Sequence, residues 1–219
     1  MGSLLMIKLP AELEVINERS AFRDLIEVSR YIARHRAILC VILITLVQNL
    51  LTFPAFQSFM AVFAKDNLGL GPSGLGFLQA ALGAGLLVGS LSVASLGDFK
   101  WKSLMYLSGA IVYTILFSGF AFSRSFALAL VLCGLAGLAI SGFIIMQTTL
   151  TLKLAPEDMR GRCIGFLTLA QGAQPIGCLI IGATANVVGA SMATAINCAV
   201  AVILLIAIPV VFPSARRLG

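Results

Sequence analysis

Charge is scarce in this sequence. Of its 219 residues only 11% are Asp, Glu, Lys or Arg, 59% are hydrophobic, and the mean hydropathy is +1.03. A soluble domain carries about 25% charged residues, so a soluble globular fold is excluded. Histidine is nearly absent: His35 stands alone, among basic residues, and reads as a solvated flanking charge. The five cysteines, Cys40, Cys133, Cys163, Cys178 and Cys198, are scattered through apolar segments with no CxxC pair. That spacing supports neither a metal site nor a disulfide framework, and it marks them as small buried hydrophobes. The acids Glu12, Glu14, Glu18, Asp24, Glu27, Asp66, Asp98, Glu157 and Asp158 all fall outside the apolar runs. With no Asp, Glu or His at mid-span, nothing is available to activate a serine or hold a metal, which argues against an intramembrane enzyme. The same lack leaves no proton-coupling site of the usual kind. Neither a cofactor nor a metal is expected. The first 36 residues hold no apolar core of signal-peptide type, so no cleavable leader is expected. Met6 stands where a myristoylation motif would want Ser or Thr.

What is present is a series of long apolar runs. About 20 such residues cross the roughly 30 Å hydrocarbon core of a bilayer. Hydropathy gives six spans, at 37–63, 74–96, 103–123, 126–152, 163–185 and 191–212, with turn and charge signals between them. The expected architecture is an all-α membrane protein with a six-span bundle over 37–212, a linker over 1–36 and a tail over 213–219. Within the linker, Ser20 to Arg36 reads as an amphipathic helix, with Phe22, Leu25, Ile26 and Ile32 on one face and arginines opposite.

The basic residues divide by side. Lys8, Arg19, Arg23, Arg30, Arg34, Arg36, Lys100, Lys102, Lys153, Arg160, Arg162, Arg216 and Arg217 fall on one face, against Lys65 and Arg124 on the other. The positive-inside rule then makes both termini cytoplasmic. The net charge of +6 is read as a topology signal and a fit to anionic lipid headgroups, with no nucleic-acid partner implied.

A repeat is visible. Gly76 to Ala84 laid over Gly165 to Ala173 gives six identities in nine positions, 89 residues apart. It relates span two to span five, hence a three-span unit occurring twice. An odd number of spans inverts the second copy, and inverted three-span repeats are a transporter signature. Small residues supply close packing: Gly85 and Gly89; Gly134, Gly137 and Ser141; and Gly172, Gly177 and Gly182.

Two connections carry sharper motifs. After span four come Pro156-Glu157-Asp158-Met159-Arg160-Gly161-Arg162, then Gly165-Phe166 and Gln171-Gly172-Ala173-Gln174-Pro175-Ile176-Gly177. This resembles the connection between the tenth and eleventh spans of major facilitator superfamily transporters, in particular the exporter branch of enterobactin and macrolide efflux proteins. The segment Leu96-Gly97-Asp98-Phe99-Lys100-Trp101-Lys102 is similar to the family's second loop motif, with Ala94 and Trp101 in place of its glycines. The resemblance maps the six spans onto spans seven to twelve of a twelve-span family, so the chain resembles a carboxyl-terminal half with about half the family's length. It implies a bacterial inner-membrane efflux transporter for small amphipathic solutes, of drug or siderophore type, working by alternating access. The implied partner is a six-span amino-terminal half or a second copy of the chain; a self-sufficient homodimeric carrier and an inactive remnant stay open as alternatives.

Pro156 suits the first turn of span five, where its missing N–H is harmless and Glu157 and Asp158 face the helix's positive end. Asp98, Lys100, Lys102, Arg160, Gly161 and Arg162 form a candidate gate, with Arg160 and Arg162 expected within reach of Asp98; such an ion-pair network would favour one state of a rocking bundle. Thr45, Gln48, Asn49 and Thr52 fall at i, i+3, i+4 and i+7 of span one, and Pro54 bends that helix ahead of Gln57. With Gln79, Gln147, Thr151, Thr168, Gln171 and Gln174 they make a candidate solute-binding set. The family's cavity is lined by its seventh, eighth, tenth and eleventh spans, which matches spans one, two, four and five here. Each amide is equally readable as an interhelical hydrogen bond, worth about 0.6 kcal/mol in a membrane.

Overall fold

The computed structural model describes residues 18–97 and 101–211, with side chains from Ile26 onward. Among the described residues every regular element is helical. A first helix, α1 (Glu18–Arg34), is followed by six helices long and apolar enough to cross a membrane: α2 (Arg36–Asn67), α3 (Pro72–Ser95), α4 (Lys102–Ala121), α5 (Phe126–Leu154), α6 (Glu157–Val188) and α7 (Ala190–Val211). These reproduce the six expected spans. The largest shifts are at the ends of α2 and α6, which run further into polar sequence, through Lys65 and Asp66 in one and from Glu157 in the other. Hydropathy sees only the apolar stretch, whereas backbone hydrogen bonding continues into the headgroup zone. The linker helix begins at Glu18, ahead of Ser20, and stops before Arg36, because His35 leaves helical geometry (φ −99°, ψ 87°) and turns the chain into α2.

Packing follows the expected repeat in part. The helix α3 packs on α5 and α6 packs on α2; α4 packs on α5 and α7 packs on α2; α4 and α7 meet each other. Exchanging α2 with α5, α3 with α6 and α4 with α7 maps these five pairings onto one another, but α6 also packs on α7 and on α5, and the counterpart contacts, α3 with α4 and with α2, are at most slight. The shared pairings agree with a three-helix unit occurring twice, and an odd number of spans per unit inverts the second copy. Cys40, Ser103, Leu150 and Pro209 meet at the end of the bundle that carries α1, and Asn67 reaches Ala121 O (2.8 Å) and Ser191 Oγ (3.5 Å) at the other.

Close helix contact depends on missing side chains. A Cβ at Gly85 would collide with the backbone of Gly134, and one at Gly137 with the backbone of Leu82, so α3 and α5 touch main chain to main chain. Gly89 lies against Ser141, which donates its own hydroxyl to Leu138 O at 2.7 Å. Gly177 of α6 fits against Leu50 O and the Pro54 ring of α2. Gly182, by contrast, faces open space.

Two helices are irregular at prolines. Residues Gln48–Thr52 of α2 form a wider π-helical turn directly before Phe53–Pro54. Pro54 has no N–H for the carbonyl four residues back, and the wider turn absorbs that loss. In α6, helix gives way at Gly172–Ala173 and resumes at Gln174, with Pro175 in its first turn. The repeat partner Gly83 sits in unbroken helix, since α3 has Leu86 where α6 has Pro175. Pro156 likewise differs from expectation: it is extended (ψ 157°) and precedes the first turn, a short 3-10 stretch over Glu157–Met159.

Candidate functional site

A half-open cavity of about 440 Å³ lies between α2, α3, α4, α5 and α6. Its polar lining is Asn49, Gln57, Gln147, Gln171 and Gln174, and its apolar lining includes Phe53, Phe56, Tyr113, Leu82 and Leu86. Gln57 is exposed while Gln171 and Gln174 are half-buried, which places the opening beside them. Gln171 and Gln174, three residues apart on either side of the break at Gly172–Ala173, lie on the same wall, as i, i+3 neighbours on a helix do. Among the described residues no charged side chain lines this cavity.

Of the candidate set, the structure gathers these five amides and disperses the rest. Gln48 is fully buried and turned to α4, where its Nε2 donates to Ala110 O (2.8 Å) and Thr114 Oγ1 (3.2 Å). Thr52 is also buried, 3.4 Å from Thr114 Oγ1. Gln48 and Asn49 are neighbours about 100° apart around the helix, so the Gln48 edge of the stripe, with Thr52, faces α4 while the Asn49 edge faces the cavity. Gln79 is exposed and lies one turn before the cavity, on the stripe that continues through Leu82 and Leu86 (i, i+3, i+7). Thr151 is buried and returns its hydroxyl to Gln147 O at 2.7 Å. Thr168 likewise bonds back to Ile164 O at 3.0 Å.

The two deepest amides are held from behind. Thr45 Oγ1 donates to Gln147 Oε1 (3.4 Å) and shares a 2.9 Å bond with the Tyr106 hydroxyl, which reaches Val41 O at 2.9 Å. Asn49 Nδ2 donates to Thr45 O at 2.9 Å. These bonds engage Oε1 of Gln147 and Nδ2 of Asn49, leaving the Gln147 amide group as a donor and Asn49 Oδ1 as an acceptor. The cavity therefore offers donor and acceptor groups beside an aromatic wall, able to meet both polar and apolar parts of a bound molecule. The aromatic members were missed as a set by amide counting. Phe53, Phe56 and Gln57 follow Asn49 at i+4, i+7 and i+8, the helical signal that would have found them.

At the α1 end, Arg162 Nη1 lies 3.3 Å from Glu27 Oε2, and Arg160 Nη1 lies 3.5 Å from Glu157 Oε1. Gly161 between them has open space around it. Asp98 and Lys100 lie outside the described residues, so the expected approach of Arg160 and Arg162 to Asp98 has no geometry here; Lys102 opens α4. Among the described residues no group of three or more His, Cys, Asp or Glu is placed to hold a metal.

Six membrane-crossing helices, an inverted repeat and a half-open amide-lined cavity define a multi-pass membrane protein with the architecture of half a transporter bundle. The sequence profile of the Major Facilitator Superfamily matches residues 5–218, and the chain belongs to that family. It is 30% identical over 153 residues to the multidrug efflux pump Tap of Mycolicibacterium fortuitum. That alignment covers 67% of this chain but only 36% of the relative, so the chain spans little over a third of the protein it matches. No solved structure matches.

Proposed function

We propose that the chain is the carboxyl-terminal half of a secondary efflux transporter of the bacterial inner membrane, with both termini cytoplasmic, which exports small amphipathic solutes by alternating access. The carrying observation is the cavity of about 440 Å³, with five amides and an aromatic wall and no charge. An amphipathic solute of drug or siderophore type finds there both apolar surface and hydrogen-bonding groups. The Tap relative is described as a multidrug pump, which agrees with this reading. Asn49, Gln57, Gln147, Gln171 and Gln174 would contact solute directly, with Gln79 one turn nearer the mouth and Gln48 and Thr52 supporting the wall from behind. The coupling acid would come from the partner half, since this chain has none at mid-span. The connections at Asp98–Lys102 and Arg160–Arg162 would form the cytoplasmic gate.

The partner is inferred from coverage. The helices α3 and α6, which flank the cavity, are the least buried of the six spans and leave Phe77, Leu87, Leu91, Leu169, Ile176 and Leu179 exposed. A second six-span bundle set against them would close the cavity. The test is ethidium and macrolide export from drug-sensitive bacteria that produce the chain alone or beside a six-span amino-terminal half. Export only in the paired strain is expected. Export by the chain alone would favour a homodimeric carrier, and export in neither strain would reduce the chain to a remnant.

A further inference from the structure

A second cavity, of about 870 Å³, lies far from the amide-lined one and shares no residue with it. It is built on α1. Val28 and Ile32, one turn apart, are each 2% exposed and pack with Ile38, Ile42, Met159, Cys163 and Leu167, which fixes α1 against the beginnings of α2 and α6. The neighbouring stripe of the same helix, Glu27, Arg30, Tyr31, Arg34 and His35, then lines the cavity together with Ile26 and Met159.

The charge balance there is positive. Arg30 and Arg34 are exposed, one helical turn apart, and neither has a protein partner among the described residues. The acid on the same stripe, Glu27, is engaged by Arg162 at 3.3 Å, and a second acid, Asp158, lies near enough to Tyr31 to act on its hydroxyl. That hydroxyl's pKa is raised, by burial first and by Cys163 and Asp158 after it, so Tyr31 stays a neutral donor at physiological pH. The Tyr31 and His35 rings stack at 3.9 Å, and His35 Nδ1 donates to Tyr31 O at 2.9 Å. This fixes the imidazole and leaves Nε2, the acceptor of the neutral ring, without a partner among the described residues, free to meet a headgroup hydroxyl.

Position selects the ligand. His35 immediately precedes Arg36, the first residue of the first membrane-crossing helix, so Arg30 to His35 stand within about 9 Å of that helix's start at 1.5 Å per residue. That is headgroup depth. A free phosphate would use the guanidinium groups alone, but this cavity also presents Ile26, half exposed, the Met159 side chain and a stacked aromatic pair. Guanidinium beside apolar surface at the membrane boundary matches a phosphodiester whose glycerol and acyl chains continue into the bilayer.

We propose that Arg30, Arg34, Tyr31 and His35 form a site for the headgroup of an anionic phospholipid, which holds α1 at the bilayer surface. The site does not depend on what the central cavity carries. The experiment is native mass spectrometry of the full chain after extraction from nanodiscs of phosphatidylcholine and phosphatidylglycerol in equal amounts. Retention of phosphatidylglycerol about tenfold over phosphatidylcholine is expected, a ratio worth about 1.4 kcal/mol, and it should fall as salt rises. The Arg30→Gln/Arg34→Gln chain should lose most of that preference, Arg30→Lys/Arg34→Lys should keep most of it, and Arg124→Gln at the opposite end should keep all of it. If the double Gln chain does not extract as a helical, monodisperse species, Arg34→Gln alone is read the same way. Equal retention of the two lipids by the parent chain overturns the proposal. So does an undiminished preference in the Gln variant, or displacement of phosphatidylglycerol by millimolar inorganic phosphate, which would make the site one for free anions.

Discussion

Gly137→Ala is expected to destabilise the bundle by about 3 kcal/mol, the upper end of the range for overpacking a filled interior. The added Cβ would run into the carbonyl of Leu82 and come within 2.9 Å of the backbone nitrogen of Leu86, both on α3. Neither atom belongs to a flexible side chain, so relief requires α3 and α5 to move apart along the whole contact that includes Gly85, Gly89 and Ser141. Alanine's better helix propensity works in the opposite direction but supplies only about 1 kcal/mol, so the collision wins. Gly182→Ala adds the same methyl into open space and should be neutral or slightly stabilising. The check is the denaturation midpoint of each purified chain in one detergent. If Gly137→Ala melts with the parent, α3 and α5 do not meet backbone to backbone.

The second large effect is expected in the central cavity. Asn49→Leu and Gln147→Leu should each raise the half-saturating ethidium concentration of the paired-half carrier by up to about tenfold, since a net hydrogen bond is worth about 0.5–1.5 kcal/mol. The double variant should fall short of the product of the two. Both amides lean on Thr45, one on its carbonyl and one on its hydroxyl, and residues that share a partner do not act additively. Gln48→Leu is the contrast: its amide bonds α4 behind the wall, so its removal should lower stability by about 0.6 kcal/mol and leave the half-saturating concentration alone. A shift for Gln48→Leu with none for Asn49→Leu and Gln147→Leu would put the solute elsewhere.

Gln48 and Asn49 also show where reading the sequence stops. They are adjacent, alike in chemistry, and both belong to the stripe Thr45, Gln48, Asn49, Thr52 that helical spacing assigns to one face. Their separation into wall support and cavity lining follows from how α2 is turned about its axis, since neighbours about 100° apart on a helix fall on either side of the line where α4 meets the cavity. Glu27 and Arg162 are 135 positions apart, and no local pattern marks them as a pair.

The sequence by itself determined that this is a six-span helical membrane protein, because crossing a hydrocarbon layer imposes length and hydropathy on each segment locally. It also carried the family in Arg160-Gly161-Arg162 and the glycine-rich span that follows, and the repeat in Gly76–Ala84 and Gly165–Ala173. Which amides face the cavity, which glycines touch a neighbouring backbone and which side of α1 lines a basic pocket were decided only by the tertiary structure. Those properties depend on how far each helix is turned about its axis, and that rotation is set by contacts between segments distant in the chain.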